Sequence, residues 1–98
     1  MSTVKSAEKV LKVLKALRGH SLQGVTNQEL SKKLSESPAQ TYRALQTLLA
    51  EGLVKKDEND LYTLGTALVQ MAKAHDSEME RAKARMAEYE QRTSVTFN

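Results

Sequence analysis

The sequence predicts a mainly α-helical fold that contains one small β-hairpin and ends in a long helix. Apolar residues recur at helical spacing in three segments that precede Gly52. Two short apolar runs, LVKK and LYTL, then flank the turn-forming cluster DEND, which is typical of a hairpin. Residues 66–92 contain neither Gly nor Pro and are rich in strong helix formers.

The first helix is predicted in the stretch SAEKVLKVLKALRG, and Gly19 is its predicted end. Apolar residues lie at helical spacing between lysines: Val10, Leu11, Val13, Leu14 and Leu17. Its lysines either contact phosphates or form a solvated face, and the sequence leaves both interpretations open. They are Lys5, Lys9, Lys12 and Lys15.

A short second helix begins after Thr26 in VTNQELSKKL. Glu29 follows Thr26 by three residues, which predicts a capping box in which each side chain accepts from the other residue's amide. Leu30 and Leu34 form its predicted buried edge, and Val25 is the predicted hydrophobic staple.

A third helix begins almost at once, with Ser37 as N-cap and Pro38 at the first helical position. Gln40 is placed to complete a second capping box, and Gly52 is placed to end the helix after Glu51. The predicted inner stripe is Thr41, Leu45, Leu48 and Leu49. The opposite face carries Ala39, Arg43, Gln46 and Thr47, with Gln40 and Tyr42 on the flanks.

The last helix carries a seam of mainly apolar and small residues, with one polar histidine, in alternating steps of four and three, which is a heptad pattern. The seam residues are Leu68, Ala72, His75, Met79, Ala82, Met86 and Tyr89. A helix of about 25 residues spans about 40 Å, more than this small chain needs for its own core. We therefore predict a dimerisation helix; the alternative is a helix folded back onto its own domain.

The order of elements predicts a winged helix-turn-helix: two capped helices joined by a tight turn, then a hairpin as the wing. In that arrangement the second capped helix lies in the DNA major groove and the first braces across the phosphates. Gln side chains suit an adenine edge, Arg suits guanine or phosphate, and Ala39 permits close approach. The candidate DNA-binding residues are Thr26, Gln28, Ser37, Ala39, Gln40, Tyr42, Arg43, Gln46, Lys55 and Lys56.

Composition excludes several kinds of site. The chain has no cysteine, so it has no disulfide and no thiolate zinc site, and its two histidines lie too far apart in sequence to suggest a metal site. No apolar run is long enough to cross a bilayer, and no signal peptide is present, so a bacterial cytoplasmic protein is expected. No catalytic set or phosphate-cradling glycine loop is visible, so neither enzyme activity nor a cofactor is expected.

Charge is unevenly distributed along the chain. Residues 1–56 hold ten Lys/Arg and four Asp/Glu, whereas residues 57–98 hold five and eight. A basic front and an acidic back suggest a polyanionic partner for the front, although a solvated surface with chance unevenness is the alternative.

The sequence resembles the N-terminal domain of the isocitrate-lyase-regulator (IclR) family of bacterial transcription factors. The resemblance rests on SAEKVLKVLKAL, VTNQELSKKL, SPAQTYRALQTLLAEGLVKK and LYTLG. It implies duplex DNA binding, a homodimer and transcriptional control, usually repression. By position, the family's base-reading residues correspond to Ala39, Gln40, Tyr42, Arg43 and Gln46.

The resemblance also implies a domain organisation. Residues 1–65 would form the winged helix-turn-helix DNA-binding domain and residues 66–92 a linker and dimerisation helix. Residues 93–98 resemble the first strand of an effector-binding domain, so the chain is expected to be a fragment or a stand-alone regulator that binds no small-molecule effector. The acidic wing tip, DEND, departs from a wing that holds phosphates.

Two function classes remain in competition. The first is a sequence-specific regulator, expected to be a repressor that binds a palindromic operator as a dimer. The second is a protein-interaction module that acts through its long rear helix. RNA binding is disfavoured because the paired aromatic residues of a base-stacking surface are absent.

Overall fold

The computed structural model describes residues 2–94, which form a packed body and one projecting helix. The body consists of α1 (Lys5–Ala16), α2 (Asn27–Leu34), α3 (Pro38–Ala50), β1 (Val54–Lys56) and β2 (Tyr62–Leu64), and α4 (Thr66–Ser94) follows. The predicted fold class is confirmed. Thr93 and Ser94, which the sequence assigned to the tail, are the last two residues of α4, and residues 95–98 lie outside the described range.

Helix α1 ends earlier than predicted. Its last residue is Ala16, and the amides of Leu17 and Arg18 donate to carbonyls only three residues back, at 3.1 and 3.2 Å. These tighter bonds close the last turn. Gly19, the predicted end, follows in the turn with φ +89°, a conformation that favours glycine.

The capping box of α2 is confirmed. The Thr26 hydroxyl accepts from the Glu29 amide at 3.1 Å, and the Glu29 carboxylate accepts from the Thr26 amide at 3.2 Å. Hydrogen bonds from Thr26, that of its hydroxyl first, lower the pKa of Glu29.

The cap of α3 has only the first half of its predicted box. Ser37 Oγ accepts from the Gln40 amide at 3.1 Å, and Pro38 occupies the first turn as expected. The Gln40 side chain turns away from this cap, and its Oε1 accepts from Lys9 Nζ on α1 at 3.3 Å. The second box is therefore wrong in its Gln40 half, because a neighbouring helix offers that carbonyl a cationic donor.

Asn27 fixes the angle between α2 and α3. Its Nδ2 donates to the carbonyl of Pro38 at 3.1 Å, so the first residue of one helix is bonded to the first residue of the next. Between them, Ser35 adopts a left-handed conformation with φ +55°, which turns the chain sharply.

The core lies where α1, α2, α3 and the hairpin meet. Its buried apolar residues are Val13, Ala16, Leu17, Val25, Leu30, Ala44, Leu45, Leu48, Val54 and Tyr62. Val25, the predicted staple, is buried in this core with Leu30 of α2, and its backbone also pairs with Tyr62 in a strand-like bridge, with N···O distances of 3.0 and 2.8 Å in the two directions. This bridge attaches the hairpin to the segment that enters α2. Burial of Tyr62 raises the pKa of its phenol.

The hairpin is antiparallel, with Val54 opposite Leu64 and Lys56 opposite Tyr62. The Asp57 carboxylate accepts from the amides of Asn59 and Leu61 at 2.8 and 3.0 Å, which fixes the turn. Gly65 then allows the chain to pass close to its own backbone, since a Cβ there would lie 2.3 Å from the Gly52 carbonyl oxygen.

Helix α4 leaves the body as a long rod, as predicted. It has 29 residues, none of them buried, and packs on the body chiefly against β1. The radius of gyration is 20.3 Å, against about 13 Å for a compact domain of this length. Along the predicted seam, Met79, Met86 and Tyr89 are 46%, 63% and 68% exposed. The alternative in which this helix folds onto its own domain is therefore not the observed arrangement.

Candidate nucleic-acid interface

Helix α3 has one buried and one exposed side. Thr41, Ala44, Leu45 and Leu48 are buried in the core. On the opposite side Ala39 and Arg43 are exposed and Gln46 is half-buried. We call these three residues the reading face. The small side chain of Ala39 leaves room between the first turn of the helix and any surface that the helix approaches.

One flank of the reading face meets α2 and the wing, which comprises β1, β2 and the turn between them. A cleft of about 390 Å³ there is lined by Thr26, Gln28, Tyr42, Lys56, Asp60 and Tyr62, among others. We call it the wing cleft. It brings together four of the predicted DNA-binding residues, which come from α2 and its cap, from α3 and from the wing.

Two of the predicted binding hydroxyls act as helix caps. Thr26 Oγ1 accepts from the Glu29 amide and also donates to the Glu29 carboxylate at 2.9 Å. Ser37 Oγ accepts from the Gln40 amide. Both side chains therefore cap the first turns of α2 and α3. The backbone N–H groups of these turns that the caps leave free are of the kind that can donate to a phosphate.

The wing carries both signs of charge. Lys56 Nζ lies 3.5 Å from Asp60 Oδ1, and the two side chains are 37% and 82% exposed. Lys55 is also exposed and, as the neighbouring residue in β1, points to the other face of the hairpin. One carboxylate of the acidic wing tip, that of Asp60, is thus paired with one of the two lysines of the wing.

The other flank of the reading face meets α1. A cleft of about 360 Å³ is lined by Lys5, Ser6, Lys9, Gln40, Arg43 and Thr47, among others, and we call it the α1–α3 cleft. Gln40 is half-buried there with its carbonyl oxygen held by Lys9. The sequence could have indicated this placement, because Lys5 and Lys9 precede buried Val13 at intervals of four and so lie on the ridge of α1 that faces the core.

Residues 57–98, the predicted acidic back of the chain, belong to two parts of the structure that differ in charge. Helix α4 holds five Lys/Arg and five Asp/Glu and is neutral overall. The excess negative charge of residues 57–98 belongs to Asp57, Glu58 and Asp60 in the wing turn. The rear helix is therefore amphipathic and neutral, and the acidic character predicted for the back of the chain belongs to the wing turn.

Other kinds of site receive no support from residues 2–94. No group of three or more His, Asp or Glu side chains there is arranged to hold a metal ion. No helix in this range combines the length and the apolar character that spanning a lipid bilayer requires.

Comparison with known proteins agrees with this geometry. Residues 6–58 match the IclR helix-turn-helix domain. This chain belongs to the IclR helix-turn-helix family. The resemblance drawn from the sequence is thereby confirmed, and the solved IclR-type proteins that it matches are transcriptional regulators.

Two solved structures illustrate the likeness. An IclR transcriptional regulator from Alicyclobacillus acidocaldarius is 31% identical, with a TM-score of 0.66 over 74% of this chain and 30% of that one. HmgR from Pseudomonas aeruginosa is 27% identical, with a TM-score of 0.70 over 86% of this chain and 36% of that one. The chain thus covers 30% and 36% of the lengths of these two proteins. No curated protein sequence matches it.

A more distant structure shares the fold. A mutant of MepR from S. aureus, solved bound to an oligodeoxyribonucleotide, is 19% identical, with a TM-score of 0.54 over 88% of this chain and 71% of that one. At this identity the likeness concerns the arrangement of helices and wing alone.

Proposed function

We propose that this IclR-type chain is a sequence-specific regulator of transcription that binds duplex DNA through α3. The observation that carries the proposal is the division of α3 into a fully buried side and a reading face flanked by two clefts. A helix anchored in this way can enter a major groove as a rigid unit, because its back is fixed in the core.

The chemistry of the interface supports recognition of DNA. Arg43 offers a planar fork to guanine or phosphate, and Gln46 offers both a donor and an acceptor to a base edge. Tyr42 is 51% exposed beside Lys56 in the wing cleft, where a phosphate of the adjoining strand would lie. Residues 1–56 supply the electrostatic attraction with their ten Lys/Arg against four Asp/Glu.

We further propose that the regulator acts as a homodimer on a palindromic operator, as a repressor in the bacterial cytoplasm. The seam of α4 supports this, because its exposed Met79, Met86 and Tyr89 form an apolar stripe on a helix that projects from the body. Two-fold symmetry would place the two reading helices about 34 Å apart, or a multiple of that distance.

The test of DNA recognition is selection of bound duplexes from a random pool, followed by fluorescence anisotropy with Arg43→Ala and Arg18→Ala. Arg43→Ala is expected to weaken binding by about 1–3 kcal/mol and to relax specificity at one base pair. Arg18 lies just beyond the C-terminal end of α1, beside Gly19, so its variant serves as the matched control. Equal affinities for the two variants would contradict the assignment of the reading face.

The test of the dimer is sedimentation of Met79→Glu beside Ser77→Glu. The first places a carboxylate in the seam and is expected to dissociate the dimer, whereas Ser77 lies on the opposite side of α4. A monomeric wild-type chain, or two variants with the same association, would refute the seam. Footprints on the selected operator check the half-site spacing.

The second candidate function is a protein-interaction module, favoured by the same exposed stripe on α4. Salt dependence separates the two functions. Binding through phosphates weakens steeply as salt rises, whereas a module that binds only protein would show weak and sequence-independent DNA binding.

A further inference from the structure

We propose that Lys5 and Lys9 of α1, together with Arg43 of α3, form a binding site for a backbone phosphate of duplex DNA beside the reading face. This inference rests on the proposed function, since it assumes that α3 enters the groove. It adds the first helix to an interface that would otherwise consist of α2, α3 and the wing.

The first observation is geometric. Lys5, Lys9 and Arg43 line a single cleft of about 360 Å³ that is open to solvent along the edge of α3. Arg43 belongs both to this cleft and to the reading face, so a DNA strand that meets Arg43 passes next to the cleft. Ser6 and Thr47 add hydroxyl groups to its lining.

The second observation is electrostatic. Among residues 2–94, no carboxylate lines this cleft, whereas three cationic side chains do. The ion pairs of the described residues lie elsewhere, in the wing and along α4. The nearby Glu8 carboxylate, three residues after Lys5, does not line the cleft and accepts from the Thr3 hydroxyl.

The third observation concerns the present partner of Lys9. Its ammonium donates to the neutral Gln40 Oε1 at 3.3 Å, near the long end of the hydrogen-bond range. A phosphate oxygen would form a shorter, charge-assisted bond with the same ammonium group. Exchange of Gln40 for phosphate is therefore favourable, and it would also release the Gln40 side chain toward the groove.

The fourth observation is the rigidity of the support. Val13, one turn after Lys9 on the same ridge of α1, is only 2% exposed. The lysines therefore extend from a helix that is fixed against α3. With the wing cleft on the other side, the site would hold the reading face between two phosphate contacts, and such contacts set register on the duplex.

The experiment measures DNA affinity by fluorescence anisotropy from low to moderate salt, using the duplex selected for the wild-type chain. The variant Lys5→Gln/Lys9→Gln removes two charges from the cleft. The variant Lys73→Gln/Arg81→Gln removes two charges from exposed positions of α4, outside the cleft, and serves as the control. Lys5→Arg/Lys9→Arg keeps the cleft charged, and thermal melting by circular dichroism verifies that every variant is folded.

The expected result is a smaller salt slope for the cleft variant alone. Each phosphate that is no longer neutralised reduces the slope of log affinity against log salt by about 0.9, so loss of this one site reduces it by about 0.9 per bound protomer. Over a fourfold rise in salt the wild type should then lose about 3.5-fold more affinity per bound protomer than the Gln variant. The Arg variant and the control should keep the wild-type slope.

Two results would overturn the inference. Equal slopes for the cleft variant and the wild type would show that α1 does not reach the phosphates. Equal reductions in the cleft variant and the control would show a general effect of net charge. Failure of the wild type to select or bind any duplex would instead refute the proposed function itself, and with it this site.

Discussion

The wing offers a prediction in which removal of one negative charge strengthens DNA binding. Asp60 pairs with Lys56 at 3.5 Å, and Lys56 lines the wing cleft beside Tyr42. In the free protein the Lys56 ammonium is thus held by a carboxylate that a DNA phosphate would have to displace under the proposed function. Asp60→Asn removes this competitor. Asp60 has φ +60°, a left-handed conformation that Asn also adopts readily, so the turn should keep its shape.

The expected magnitude follows from the exposure of the pair. Its side chains are 37% and 82% exposed, and an ion pair of this kind contributes about 0.2–1 kcal/mol. That free energy is lost when Lys56 turns to a phosphate, so Asp60→Asn should tighten DNA binding by about 1.4-fold to 5-fold. Because salt screens exposed charges, the gain should be largest at low ionic strength.

The assay is anisotropy on the selected duplex at several salt concentrations, with Asp76→Asn as the control. Asp76 is an exposed carboxylate on α4, away from the wing, so its removal changes net charge by the same amount. If Asp60→Asn bound no tighter than Asp76→Asn while its melting temperature stayed unchanged, competition between Asp60 and DNA for Lys56 would be refuted.

Three further predictions concern the scaffold that holds the interface. Ser37→Ala removes the cap of α3 and should lower the free energy of unfolding by about 1 kcal/mol in urea titrations, whereas an unchanged value would contradict the capping role. Thr41 is 1% exposed and its hydroxyl has no hydrogen-bond partner among residues 2–94, so Thr41→Val should raise that free energy by about 1 kcal/mol; a loss of stability would indicate a missed partner. The lowered pKa of Glu29 means that its carboxylate stabilises the fold above its ordinary pKa and loses this effect as pH falls through the lower, folded-state pKa. The difference in stability between wild type and Thr26→Ala should therefore narrow in acid, and a constant difference would contradict the link.

The sequence predicted those features that depend on neighbours along the chain. The capping box of Thr26 and Glu29 and the cap at Ser37 each join residues three apart, so their signatures are local. The length of α4 followed from the absence of breakers. Such signals do not require knowledge of how the elements pack.

Features that arise from packing were not predictable in the same way. The bridge between Val25 and Tyr62 joins distant parts of the chain, and no local pattern encodes it. Ala44 was absent from the predicted inner stripe of α3 yet is 5% exposed, whereas Leu49, which was included, is only partly buried. The buried stripe is rotated because α1 packs on the Ala44 side. Because of the same contact, the side chain of Gln40, which the sequence predicts to contact a base, accepts a hydrogen bond from Lys9.

The wing and the segment from α1 to α3 differ in net charge. The wing sets Lys55 and Lys56 against Asp57, Glu58 and Asp60, so it carries a net charge of −1 and cannot by itself attract DNA. Helix α4 is neutral, and the net positive charge therefore belongs to the segment from α1 to α3. Under the proposed function, electrostatic attraction to DNA would then come mainly from α1, α2 and α3, with the wing as a weak contact. If so, neutralising the two lysines of the α1–α3 cleft should cost more affinity than neutralising the two lysines of the wing.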